Sequence, residues 1–251
     1  ATPSPLGSLA LPLQAGDWAF VRDNVPYLLG GVVVTIQLTV LSVLLGFLVG
    51  FPAGIVEVYG GPISRRLVET VGVVLRGTPI VVILIMFYFV FPTPDVGLGL
   101  DLPGLPALSV SFSGAFIAGV LGLGLRSAAY QTQIFRGSLS SVAEGQMEAA
   151  RAVGLSKLEA IRYVIVPQAL RRSVPGFQNE MTIVLKDTSV VFAIGLAELL
   201  TLSYELFVRQ TTAVLEVILF ASAIYFVLTF ATNRALDYVQ SAYAIPGGER
   251  A

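Results

Sequence analysis

The sequence predicts an all-α integral membrane protein with five transmembrane helices, and three observations predict it. Mean hydropathy is +0.82. Only 12% of the 251 residues are charged, against roughly 25% in soluble proteins, so lipid must cover much of the exterior. The apolar residues gather into stretches long enough to cross a bilayer, which takes about 20 helical residues. Between the third and fourth of these stretches lies the most polar long segment, Ser141 to Pro167, which carries helix signals of its own.

Taken in order, residues 1–27 read as an external tail and interfacial segment. Ala1–Gly16 is small, Pro-containing and uncharged, and Ala1–Gln14 lacks the basic region of a secretory signal. Trp18, Phe20 and Tyr27 suit an interfacial aromatic belt or an amphipathic turn. A single transmembrane domain follows over 28–236. Its first span, 28–56, has no charge, and a polar turn follows from Glu57 to Arg66. The second, 67–91, is interrupted by Arg76-Gly77-Thr78-Pro79. Ile80–Phe91 alone is too short to cross, so one helix kinked or partly unwound at Gly77 and Pro79 is expected, with neighbouring helices satisfying the freed backbone groups. Pro92–Ser111 is a Pro- and Gly-rich external loop, and the third span, 112–135, has Arg126 near its middle. The fourth, 176–202, contains Lys186 and Asp187. Tyr204–Thr212 reads as a short turn, 213–236 as the fifth span, and 237–251 as a cytoplasmic tail.

The connection 136–175 is too long to be structureless in a compact protein. Ser141 with Glu144, and Ser156 with Glu159, read as capping boxes that each start a helix. Gly154 between them suits a left-handed residue ending the first helix, and Pro167 is expected to break the second. Two short helices joined at a glycine outside a membrane make a docking surface, or a hairpin packed on its own bundle. Met147 and Val153 could enter an apolar cleft on a partner, beside a small-residue face of Ala149, Ala150 and Gly154.

Basic residues in short loops set orientation. One side receives Arg65, Arg66, Arg136, Arg151, Lys157, Arg162, Arg171, Arg172, Arg234 and Arg250, and the other only Arg22 and Arg209. The connection 136–175 and the C-terminus are therefore expected in the cytoplasm, with the N-terminus outside. The sequence has no Cys and no His, which removes thiol chemistry, the commonest metal ligand and the usual general base near neutral pH. An intramembrane enzyme is left with little to work with, and no metal site is expected. No Gly-x4-Gly-Lys-Ser/Thr loop is present to hold ATP. No basic, aromatic-interleaved surface points to nucleic acid. The Gly-rich stretch Gly119–Gly124 lies within a span, where small residues allow close helix packing.

A resemblance adds to this reading. Glu148-Ala149-Ala150, Gly154 and Val164-Ile165-Val166-Pro167 resemble the EAA motif of ABC-importer permease subunits. Arg76-Gly77-Thr78-Pro79, Ala129-Tyr130, Arg136-Gly137, Gly145-Gln146, Pro167-Gln168-Ala169-Leu170 and Lys186-Asp187-Thr188-Ser189 resemble its polar amino acid branch, the histidine, glutamine and arginine type. The matches run in order from about Gly30 onward. The resemblance implies a multi-pass protein of a prokaryotic plasma (inner) membrane, with a cytoplasmic coupling-helix loop. That loop would seat in a groove of an ABC ATPase subunit through Gly145, Gln146, Met147, Glu148, Ala149, Ala150, Val153 and Gly154. It further implies a second permease copy or sister permease and an extracytoplasmic substrate-binding protein. ATP and magnesium would sit on the ATPase, and this chain would bind no cofactor and catalyse no reaction.

Charges at membrane depth cost about 2.5–3.5 kcal/mol on insertion scales, so they should face the bundle interior or a cavity. The candidates for a substrate pathway are Arg126, Lys186, Asp187, Arg76 and Gln133. Lys186 and Asp187 could neutralise each other, pair with a neighbouring span, or simply fix helix register. Arg76 could snorkel to the cytoplasmic edge. Arg126 stands where the resembling family often has a small or amide-bearing residue. Its planar fork suits the α-carboxylate of an amino acid, or an acidic side chain such as Glu198 or Glu216. Gln133 stands where that family commonly has Glu, which leaves the role of a carboxylate there open. The rival functional reading is an ion-coupled secondary transporter or channel using Lys186 and Asp187 as a relay.

Overall fold

Two long helices, α2 (Val25–Tyr59) and α5 (Gly114–Ser140), form the centre of the molecule, whose computed structural model describes residues 15–91, 99–100 and 110–242. They meet along Gly46, Gly50 and Gly54, spaced four apart on one face of α2. A Cβ at Gly50 would lie 2.7 Å from the Ala128 carbonyl oxygen, and one at Gly54 2.8 Å from the Phe135 Cβ. Only residues without side chains let helix backbones approach this closely. Phe47 and Phe51 close the contact edge-on against Phe135.

The helix α1 (Ala15–Asp23) precedes this pair. Phe20, Val21 and Tyr27 join a cluster with Leu199, Leu206 and Val217, which ties the start of the chain to its C-terminal third. Trp18 stays partly exposed. The helices α3 (Pro62–Gly77) and α4 (Ile80–Ile85, continued by a π turn Met86–Val90) meet at 104°. The single kinked helix expected over 67–91 is therefore two helices. Thr78 precedes a proline and is held extended at φ −90°, ψ 131°, while Pro79 has no N–H to continue the ladder. The short strands β1 (Gly99–Leu100) and β2 (Val110–Ser111) pair antiparallel. The rest of the expected loop 92–111 and the tails 1–14 and 243–251 lie outside the described residues.

Ser113 caps α5 by accepting from the Phe116 N–H, and the helix runs beyond the expected end at Phe135. After it come α6 (Glu144–Ala152) and α7 (Lys157–Ala160), then a π turn (Ile161–Ile165), α8 (Val166–Asp187) and a 3-10 segment (Thr188–Ile194). Pro167 does not end the helix begun at Ser156. It sits in the first turn of α8, where the π turn just before it widens the ladder around the missing N–H. The left-handed Gly195 (φ 71°) ends the 3-10 segment. Next, α9 (Leu199–Arg209) leaves at 52°. The expected fourth span, 176–202, is thus a bent assembly, and the expected turn 204–212 is mostly helix α9. The last helix, α10 (Val214–Ala242), runs past 236 into the expected tail.

By length and composition, α2 and the 214–238 part of α10 can each cross a membrane. The bent pairs α3 with α4, and 157–194 with α9, qualify when each is counted as one crossing. The helix α5 is as long as a crossing but more polar, because Ser127, Gln131 and Thr132 are buried against protein.

Candidate functional site

The polar segment builds an exposed two-helix module on a buried base. Ser141 does not form the expected capping box. Its hydroxyl donates to the Ser138 carbonyl at the end of α5, and α6 starts after Ala143 without a side-chain cap. Ser156 forms the box as expected. Its N–H donates to the Glu159 carboxylate at 2.8 Å, and its hydroxyl accepts from the Glu159 N–H at 3.3 Å. Hydrogen bonds from Ser156, side chain first and then backbone, hold the Glu159 carboxyl below the usual range. Gly154 joins the two helices at φ +93°, the left-handed turn its position suggests.

The faces of this module sort the expected docking residues. Gly145, Gln146, Glu148 and Ala149 are exposed, and Val153 is 80% exposed. Ala150 is buried, and Met147 packs inward against Leu139, Val142 and Ile165. Met147 therefore belongs to the base of the module and not to its outer face. Leu158, 75% exposed, lies across the glycine from Val153 and completes an apolar outer edge that the motif reading missed. Gln168 donates to Gln146 at 3.2 Å, and Arg172 donates to the Ser141 carbonyl; both tie the module to α8. A cavity of about 430 Å³ opens beneath α6, lined by Val58, Tyr59, Leu139, Met147, Glu148 and Ile165.

Charges gather about halfway along the bundle. The Arg126 guanidinium of α5 pairs with the Asp187 carboxylate at the end of α8 at 2.5 Å and lies over the Tyr130 ring at 5.1 Å. The two side chains are 20% and 24% exposed. Neither Glu198 nor Glu216 is its partner. Glu198 caps α9 through the Leu200 and Thr201 N–H groups and accepts from the Tyr225 hydroxyl at 2.7 Å. Lys186 is exposed, and its ammonium group makes no hydrogen bond or ion pair among the described residues. Glu180, buried and two turns before Asp187, accepts from Ser127 at 2.8 Å. Its spacing from Asp187 was the available signal for it.

Arg76 donates to the Ala129 carbonyl of α5 at 2.7 Å. Gln133 donates to both carboxylate oxygens of Glu57, each at 3.1 Å. Glu57, at the start of the expected polar turn, is 1% exposed in the last turn of α2. Along α8, Gln178 donates to Asp237 at 2.8 Å and Thr182 to Asn233 at 2.7 Å, a polar seam with α10. Among the described residues no cluster could hold a metal ion. The arrangement combines an exposed two-helix module with a partly buried Arg126–Asp187 ion pair.

Residues 42–244 match the profile of the family described as binding-protein-dependent transport system inner membrane component. The glutamine transport system permease protein GlnP of Escherichia coli (strain K12) is 35% identical over 213 residues, covering 85% of this chain and 91% of that protein. The glutamate/aspartate import permease protein GltK of Escherichia coli O157:H7 is 29% identical over 224 residues, covering 89% of this chain and 96% of that protein. Among solved structures, a chain of an amino acid ABC transporter crystallised with histidines superposes with a TM-score of 0.74 at 29% identity, over 92% of this chain and 100% of that one.

Proposed function

The chain belongs to the family of binding-protein-dependent transport system inner membrane components, and we propose that it is the membrane permease of an ATP-driven importer for amino acids. One observation carries the mechanism. A single helical segment, Lys157 to Ile194, joins the exposed module to Asp187 and its partner Arg126. At 1.5 Å per residue the stretch from Ser156 to Asp187 spans roughly 45 Å, so a displacement at one end is delivered along a rod to the other.

In this reading the chain crosses the membrane five times, through α2, the α3–α4 pair, α5, the bent α8–α9 segment and α10. The distribution of basic residues supports a cytoplasmic module and an external N-terminus. The outer edge of Val153 and Leu158 is the seat for an ATPase subunit, which supplies ATP and magnesium. A second permease, identical or sister, completes the pathway, and an external binding protein delivers the cargo. Amino acids as cargo rest on the names of the relatives and on the opposite charges of Arg126 and Asp187, with Lys186 adjacent. Closure of the ATPase pair moves the docked helices, and cargo shifts the inward–outward balance only through its different affinity for the two states.

The test is reconstitution with the ATPase and the binding protein, scanning hydrolysis and uptake over a panel of amino acids. Hydrolysis stimulated by one or a few amino acids is expected. Uptake driven by an ion gradient without the ATPase would favour the secondary-transporter reading instead.

A further inference from the structure

The base of the module contains a buried carboxylate that the transport reading does not use. Glu57 lies in the last turn of α2, and its side chain is 0% exposed. An anion is disfavoured at a helix C-terminus, and an apolar residue of similar volume is often as stable as a buried charge or more so. Stability alone therefore gives little reason for a carboxylate here.

Its partners all come from α5. The Gln133 amide donates to both oxygens at 3.1 Å. The Arg136 side chain, 41% exposed, brings its guanidinium to 3.7 Å from the carboxylate and donates to the Gln133 side-chain amide oxygen (Oε1) at 3.4 Å. One turn earlier on α2, Gly54 touches Phe135 closely enough that a Cβ would meet it at 2.8 Å. One and two residues later, Val58 and Tyr59 pack with Leu139, Val142 and Met147 of the module. The cavity of about 430 Å³ leaves that apolar contact incomplete. The hydrogen-bonded network is thus the rigid part of the joint.

We infer that Glu57, Gln133 and Arg136 latch the foot of α2 to α5, so that movement of the docking helix passes to both helices together. Glu57 is then a positioning residue for energy coupling, and the inference rests on the importer reading above. The latch is reciprocal: one carboxylate faces one amide beside one guanidinium, and here the carboxylate comes from α2. Position 133 should therefore accept the carboxylate when position 57 gives it up.

The experiment compares wild type, Glu57→Gln, Gln133→Glu and the double exchange, each reconstituted with ATPase and binding protein. Assembly, thermal stability, basal hydrolysis and uptake per ATP are measured. No amino-acid-stimulated hydrolysis in wild type would sink the importer reading itself; the variants speak to the latch once wild type couples. Glu57→Gln keeps an amide–amide hydrogen bond and should assemble and hydrolyse ATP, with uptake per ATP down about fivefold or more. Gln133→Glu sets two carboxylates together in a buried site and should assemble poorly. The double exchange should return uptake per ATP to within about twofold of wild type, because the pair is restored in reverse. Wild-type coupling in Glu57→Gln, or a double variant no better than the worse single, overturns the inference. If Glu57→Gln itself fails to assemble, recovery of assembly and uptake in the double variant decides for the latch, and its absence decides against it.

Discussion

Helices α5 and α10 have nearly the same length, 27 and 29 residues, and opposite surroundings. The more apolar one, α10, leaves Phe226, Val227 and Phe230 more than half exposed. The more polar one, α5, buries Ser127, Gln131 and Thr132 and places the Arg126 guanidinium against another helix. In water the apolar helix would be the core. In a bilayer lipid is as apolar as leucine, so large apolar residues can face outward, while small and polar residues mark protein–protein contact. The same substitution should therefore have opposite weight in the two helices.

The sharpest contrast is a leucine added to each environment. Gly50→Leu would drive a side chain into the Ala128 carbonyl and part α2 from α5. About 3 kcal/mol, the upper end of the usual overpacking range, is expected to be lost, seen as failure to purify as a stable complex. Ala223→Leu on the exposed side of α10 should stay within about 0.5 kcal/mol. Equal effects of the two changes would break the comparison.

The next contrast concerns charge. Arg126→Met leaves Asp187 without its partner. Full burial would make that cost about 3–5 kcal/mol; the roughly one-fifth exposure of both side chains discounts it to about 2–3 kcal/mol. The double variant Arg126→Met/Asp187→Leu should recover at least about 1 kcal/mol, because no lone charge remains. Lys186→Met, at an exposed site, should change stability by less than about 0.5 kcal/mol. Thermal melts of the four proteins in one detergent check the order. Uptake lost in a double variant that melts as wild type would place the pair on the substrate pathway.

The comparison also explains what could be read from the sequence. The long apolar stretches of α2 and α10 were legible because lipid-facing helices announce themselves by composition. The module was legible through Ser156, Glu159 and Gly154, whose capping and turn chemistry is local. What escaped was set by distant contacts. The glycines at 46, 50 and 54 look like ordinary membrane composition until α5 lies against them. Glu57 reads as a surface acid beside a Gly-Gly-Pro turn until Gln133 covers it. Arg126 had several acidic candidates, and choosing Asp187 required the packing of α5 on α8. Pro79 and Pro167 carry the same chain chemistry with opposite results. One ends a helix at 104°, and the other sits in a first turn opened by a π turn.

On the module the ordinary rule for water returns, so an aspartate sorts its two faces. Val153→Asp replaces an 80% exposed residue and should leave stability within about 0.5 kcal/mol. Co-purification of the ATPase subunit should still fall about tenfold, because a charge would enter its apolar seat. Met147→Asp would instead put a carboxylate into the cluster of Leu139, Val142 and Ile165, and the module itself should loosen. Normal docking in Val153→Asp would move the seat elsewhere on the module.

The smallest expected effect is a pH dependence confined to α7. Glu159 is fully exposed, and its carboxylate is held ionised by the hydrogen bonds of Ser156. A carboxyl group lowered in the folded state stabilises the fold above its ordinary value, near 4.5. The contribution disappears as pH falls through the lowered value, since the folded helix must then take up the proton too. Protection of the Ser156 and Glu159 amides against hydrogen exchange, relative to the unstructured peptide, should therefore decline on acidification below that point. Glu159→Gln should flatten the decline while keeping an acceptor for the Ser156 N–H. A decline of the same size in Glu159→Gln would assign the acid sensitivity to another group and leave the capping box uncharged in its effect.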